Sequence, residues 1–199
     1  MSLKFQYNKT ALQQLEKQLK VRVRALPTIK NKESALRIEV KKAKDEMKKL
    51  DIAYRKMIKE YDHMVALWGE FDTTLVGIKD VHLAVKKIAG VKTPVLEGID
   101  SYTGKFSVFN KPKWYLDGID LVKKIASLGI EKEVFYRKME LLDRARKKTT
   151  QKVNLFEKVQ IPGYDDAIRK VKRFMEDEEN LSKSAQKIVK NRQQQEAYQ

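Results

Sequence analysis

Cysteine is absent, which excludes a disulfide scaffold and any thiolate metal site and fits a reducing compartment. Histidine occurs only at His63 and His82, with no second imidazole near either, so no metal centre is expected. Proline and glycine are scarce, at 4 and 8 in 199 residues, and most of them cluster in a few places. Long stretches are therefore free of helix breakers. No apolar run approaches the eighteen or so residues of a transmembrane helix, and the N-terminal residues lack the apolar core of a signal peptide. A soluble, cytoplasmic chain is expected.

Charge is what the chain has in quantity. Lys and Arg number 43 against 27 Asp and Glu, a net charge of +16, and charged residues make up 35% of the sequence. The apolar share of 42% is too high, and too periodic, for a disordered chain. Together these describe a coiled coil more closely than a globule around a central core. The positive surplus calls for an acidic partner surface, whether nucleic acid, an anionic membrane or a protein cavity lined by carboxylates.

The period of the apolar residues sharpens this. Leu36, Val40, Ala43, Met47, Leu50, Tyr54, Met57, Tyr61, Met64, Trp68, Phe71 and Leu75 alternate in steps of four and three without a slip. Backwards, the register reaches Ile29, Leu26, Leu19, Leu15, Leu12 and Phe5, with Asn8, Arg22 and Glu33 as its polar positions. A 3.5-residue period holds one apolar seam against a partner helix and imposes a left-handed supercoil. A helix over 5–75, roughly 105 Å at 1.5 Å per residue, follows. Pro27 predicts a bend or short break near Thr28.

Residues 77–115 change character. Gly77, Gly90, Gly98, Gly104, Pro94 and Pro112 punctuate β-branched and aromatic residues that run from Val91 to Val108 and Phe109, which reads as a small β element. Its turn is expected at 100–105, with Gly104 in the left-handed region. A second helix is expected over 116–194, with Leu121, Ile125, Leu128, Lys132, Phe135, Met139, Leu142, Arg146, Thr149, Val153 and Phe156 on its seam. Pro162-Gly163 should interrupt it before Tyr164, Ile168, Val171 and Met175 resume the stripe. The fold expected is mainly all-α: a long antiparallel two-helix left-handed coiled coil with a short β-hairpin. Its parts are an N-terminal helix in 1–76, a β element in 77–115 and a C-terminal helix in 116–199. Facing residue numbers should sum to about 192, which brings Pro27 and Pro162 to nearly one height and predicts a shared bend.

Candidate chemistry is thin. Val85 to Thr93 imitates a phosphate-binding loop, but Val85 stands where glycine is needed and Val91 where lysine is needed. Glu176-Asp-Glu-Glu179 is four successive helical acids that point in different directions, a solvated charge run rather than a cation site. Trp114 and Tyr115 should pack the junction where the β element rejoins the second helix. Ile52, Ile58, Val65 and Leu67 lie off the seam and are candidates for partner contact. No catalytic residue, cofactor or metal ligand is expected.

Ile88-Ala-Gly-Val-Lys-Thr-Pro-Val-Leu-Glu97 resembles the "AGV-x-x-P-V/I-x-E" element of the D subunits of V-type and A-type rotary ATPases. Lys152-Val-Asn-Leu-Phe-Glu-Lys-Val-Gln-Ile-Pro162 is similar to that family's "R-V-N-A-L-E-x-x-x-I-P" signature. The run around Lys30-Asn-Lys-Glu33 and Leu36 looks like its "L-K-x-K-R-D-x-L" segment. The three occur in family order and spacing. Lys152 replaces the signature arginine and lacks its planar fork, Leu155-Phe156 replaces Ala-Leu, and Pro27 is a further departure.

The resemblance implies a central rotor shaft that carries torque between ATP chemistry and ion movement, without a reaction centre of its own. It implies as partners the catalytic and regulatory (A- and B-type) nucleotide-binding subunits, a small F-type companion and a funnel-shaped adaptor on the membrane rotor ring. Membrane contact would come only through the complex, and no nucleic acid is involved. In that setting Lys17, Lys20, Arg22 and Arg24, with Arg169, Lys170, Lys172 and Arg173 from the other helix, are expected to meet carboxylates of the hexamer. Val91, Pro94, Val95 and Leu96 of the β element are expected to engage a neighbour. The alternative is a free-standing basic helical adaptor for nucleic acid or anionic membrane, which would bind with steep salt dependence.

Overall fold

The computed structural model describes residues 4–107, 109 and 111–197; Val108 lies outside the described residues, as does the side chain of Val65. Helix α1 is Lys9–Glu60 and the single-turn helix α2 is Val65–Trp68; strands β1 and β2 are Val76–Ile88 and Val91–Thr103. Helix α3, Trp114–Leu155, passes through a π turn at Phe156–Gln160 into helix α4, Ile161–Ala197. Two compact units result, one from the described parts of Met1–Asn31 and Thr149–Gln199, the other from Lys32–Lys148.

Every seam position of α1 from Leu12 to Met57 is buried or half-buried, as is every seam position from Leu121 to Phe156. The 3.5-residue period thus selects the packed face, Arg22, Glu33 and Lys132 included. In the 32–148 unit, Leu36 and Ala43 bury against Leu142, and Asp51 meets Lys132 farther along, so the helices run antiparallel. In the other unit, Leu15 packs on Ala167, Ile168 and Val171. There Lys30 pairs with Glu157 and Glu16 with Lys172, the same antiparallel sense. These pairs sum to less than the expected 192, a register closer by about one helical turn.

Four further expectations are corrected. Helix α1 stops at Glu60, not near Leu75; the seam continues, but through a 3₁₀ turn at Asp62–Met64, α2 and a second 3₁₀ turn at Thr73–Leu75. The aromatic size of Trp68, Phe71 and Tyr115 explains the change, since Phe71, Leu75, Tyr115 and Ile119 form a small closed core that a straight helix would not surround. The Asp72 carboxylate accepts from the Thr74 amide and starts the last turn. Pro27 lies inside α1 without a break; at an exposed position its ring meets solvent, and one lost hydrogen bond is carried by a long helix.

Pro162-Gly163 likewise does not interrupt the second helix. The turn before it widens, and the Ile161 amide donates to the Phe156 carbonyl five residues back. Pro162 explains the widening, because in α geometry its ring would strike the carbonyl of Lys158. The seam carries the same message. Its steps 153, 156, 160, 164, 168 take fifteen residues where two heptads take fourteen, and a π turn absorbs one extra residue.

The hairpin turns at Ala89-Gly90, not at 100–105. Both residues have positive φ, 48° and 80°, as a two-residue type I′ connection requires. Gly104 keeps a negative φ, and the strands run thirteen residues each. Register shifts fall at Ile78/Asp80 and His82/Leu83. Gly77 admits Tyr102 from the paired strand, whose ring would lie 2.4 Å from a Cβ at that position. The hairpin tip folds onto the helices, with Ile88, Ala89 and Val91 packed against Leu36 and Leu142. Thr93 is fully buried, its hydroxyl donating to the Lys86 carbonyl at 2.9 Å.

Candidate functional site

The basic residues of the first unit divide into two kinds. Arg22 sits at a seam position and is engaged. Its Nε donates to Gln160 Oε1 at 2.8 Å, Nη1 donates to Gln18, and the guanidinium lies 4.5 Å from the Tyr164 ring centre. Lys172 pairs with Glu16 at 2.9 Å, and Arg169 with Asp166. Lys17, Lys20 and Arg24 are exposed and make no ion pair among the described residues, at i, i+3 and i+7 along one outward stripe of α1. Lys170 and Arg173 are exposed in the same way on α4. Among the eight, five thus make no ion pair among the described residues, Arg22 and Lys172 bridge the two helices, and Arg169 pairs within its own helix.

The residues singled out on the hairpin also divide. Val91 packs into the core of its unit. Pro94, Val95 and Leu96 line a cavity of about 200 Å³ with Glu131, Val134, Phe135 and Lys138 of α3. By register Pro94 pairs with Val85 and Leu96 with Leu83. Val85 and Leu83 are 69% and 52% exposed, so an apolar strip lies on the outer face of the hairpin. Lys87 and Lys92, paired next to it, add positive charge at the tip. Sequence reading missed Leu83 and Val85; their period-two spacing in a lysine-rich strand was the available signal.

A larger concavity in the 32–148 unit also escaped the sequence. Met57, Tyr61, Met64, Trp68, Trp114 and Leu121 form an apolar groove of about 550 Å³, with Asp117, Asp120 and Lys124 at its edge. Four of these are seam residues of the first helical stripe, and the seam pattern assigned them to a closed core. They stay half-exposed because α1 ends at Glu60 and the helix pair opens here. Tyr115 is buried as expected, its hydroxyl accepting from the Asp72 amide at 2.8 Å, and Trp114 packs against the same core as expected while also lining the groove. Ile52 and Ile58 are exposed and Leu67 half-buried.

Ionisable groups with shifted pKa values serve structure. His82 hydrogen-bonds Asp100 at 2.9 Å, and that bond and charge hold its pKa above the ordinary value. A hydrogen bond from Lys132 holds Asp51 below the usual carboxylate range. Glu179 is held low by its hydrogen bond with Lys183, so this acid of the run on α4 serves an exposed ion pair within the helix. Among the described residues no three His, Asp or Glu side chains gather as a cation site, and no helix is long and apolar enough to cross a membrane.

A family model for the D subunit of ATP synthase matches residues 11–191, from the first turn of α1 to the last turns of α4. The chain belongs to that family. Several V-type ATP synthase D subunits are similar over nearly their whole length. The one from Borreliella burgdorferi is 27% identical over 191 residues, 94% of each chain. That of Chlamydia pneumoniae is 25% identical, covering 89% of this chain and 87% of its own. That of Chlamydia abortus is 27% identical over 85% and 84%. Two of the three family-like segments fall at irregular points of the fold, Ile88–Glu97 making the hairpin turn and Lys152–Pro162 containing the π turn, while Lys30–Leu36 lies inside α1.

Proposed function

We propose that the chain is the central rotor shaft of a V/A-type ATPase, carrying torque between nucleotide-driven changes in a catalytic hexamer and ion movement through a membrane ring. It works as a non-catalytic subunit, on the cytoplasmic side and peripheral to the membrane. The observation that carries the reading is the family match over 11–191 on a chain whose paired helices pack along an apolar seam within each unit. Such a seam holds two helices together, because separating them exposes apolar surface.

The stripe Lys17, Lys20 and Arg24, with Lys170 and Arg173, is the surface for the nucleotide-binding subunits. Flexible, solvated lysine and arginine heads exchange carboxylate partners at low cost, which suits a surface that must turn past successive neighbours. The outer strip Leu83, Val85, Pro94 and Leu96 engages a neighbouring subunit, and the Met57–Trp114 groove receives the funnel-shaped adaptor. A small companion protein completes the rotor.

Affinity purification of the tagged chain from its host, in mild detergent, tests the assignment. Nucleotide-binding subunits, a small companion and the ring adaptor recovered in fixed ratio are the expected result. Nucleic acid or lipid recovered alone would overturn it in favour of a basic adaptor. Replacing Lys17, Lys20 and Arg24 with Gln should weaken hexamer assembly and flatten its salt dependence; unchanged assembly would remove the role given to the stripe.

A further inference from the structure

We propose that the π turn at Phe156–Gln160, facing the Pro27 segment of α1, is a built-in soft joint at which this helix pair bends and twists. Three independent features coincide there. The first is backbone: Pro162 gives no amide donor to the turn before it, and Pro27 gives none on the opposing helix. The contacts fix the common height, since Arg22 reaches Gln160 and Lys30 reaches Glu157, with Pro27 between those two α1 residues.

The second is packing. Within this unit no residue in 16–31 or 149–166 is fully buried, whereas Leu15, Ala167, Ile168 and Val171 close a core farther along. Helix stability in water comes mainly from such packing, so the stretch where the seam is only half-buried opens first. The ion pair that crosses here is solvent-facing, with Lys30 and Glu157 each 45% exposed. Side chains of that kind can follow a moving backbone without leaving a cavity.

The third is register. The seam holds one residue more than two heptads between Val153 and Ile168. The wide turn takes up that extra residue, and Pro162 holds it at this place, since an α turn here would drive the proline ring into the Lys158 carbonyl. A turn so widened has fewer well-formed i+4 bonds and bends more readily than the α-helix on either side. The joint would let a shaft store part of a rotation step, a use that rests on the rotor reading; the softness itself does not.

The isolated chain tests it. Amide exchange followed by mass spectrometry should be at least about tenfold faster over 157–163 than over 167–175. Deleting Val159 together with Pro162→Ala restores fourteen residues and should slow exchange over the turn by a similar factor, while Pro162→Ala alone recovers only part. The chain has no native cysteine, so spin labels at Gln151→Cys and Asp177→Cys report the joint directly. A broad distance distribution in the parent that narrows on deletion is expected. Uniform protection across 149–175 with a narrow parent distribution would overturn the proposal even if the deletion variant failed to fold. Because no partner is involved, failure of the rotor assignment would leave these results readable.

Discussion

Lys132 Nζ lies 2.7 Å from Asp51 Oδ1, across the helix pair of the 32–148 unit, and 5.0 Å from the centre of the Tyr54 ring. A lysine on an apolar seam would be a fault if its ammonium had no partner; here the pair fixes which residue of α1 faces which residue of α3. Arg55 reaches the same carboxylate at 2.8 Å.

Asp51 therefore titrates below the ordinary 3.8, chiefly through the hydrogen bond from Lys132. A depressed folded pKa gives stability that is present above the unfolded value and lost as pH falls through the folded one. Lys132→Met should return the Asp51 carboxyl toward 3.8 in a carbon-detected titration and shift acid unfolding to higher pH. An unmoved carboxyl resonance would show that the pair does not hold the register.

Leu36 and Leu142 are both fully buried in one shared cluster. Either one replaced by Ala should lower the unfolding free energy by about 2–5 kcal/mol, from lost transfer energy and the cavity left behind. Ile52, 68% exposed on the same α1 helix, should lose no more than about 0.5 kcal/mol on the same change. Urea unfolding of the three variants measures the contrast.

Ala89 holds a φ of 48° at the hairpin tip, a conformation that costs a side-chain-bearing residue about 1–2 kcal/mol. Ala89→Gly should therefore stabilise the protein by up to about 1 kcal/mol, and Ala89→Val should destabilise it by more, since a β-branched residue is poorest there. Equal midpoints for all three would mean the tip does not adopt this turn.

His82 bonds to Asp100 across the hairpin, with Asp80 and Glu97 adding charge and partial desolvation working the other way. Its folded pKa lies above 6.5, so its contribution to stability is complete below pH 6.5 and disappears as pH rises through the folded value. Proton resonances of the imidazole should show a midpoint above 6.5 that falls in Asp100→Asn. A midpoint already at the ordinary value in the parent would contradict the contact.

The helices were legible in the sequence because one physical rule, a 3.5-residue apolar period, fixes a packed face whatever lies outside it. At Met57, Tyr61, Met64 and Trp68 the same rule named the half-buried face but not the groove that stays open there, since the period does not say how fully a partner covers a face. Pro27 and Pro162 suggest breaks by local propensity, but cross-helix packing and one widened turn carry the helix through both. The hairpin turn was misplaced because Gly104 outweighed Ala89-Gly90, where an alanine gives no sign of left-handed backbone. Among the charged residues, Arg22 looks like Lys17 and Lys20 until its seam position is weighed against its charge.

Rotation itself decides the central claim. A cysteine at exposed Lys48 in this otherwise cysteine-free chain can carry a bead in the assembled soluble ATPase held by its hexamer. Stepwise, one-directional turning of the bead that starts with ATP and stops without it is the predicted result. A stationary bead on a complex that continues to hydrolyse ATP would contradict the rotor assignment.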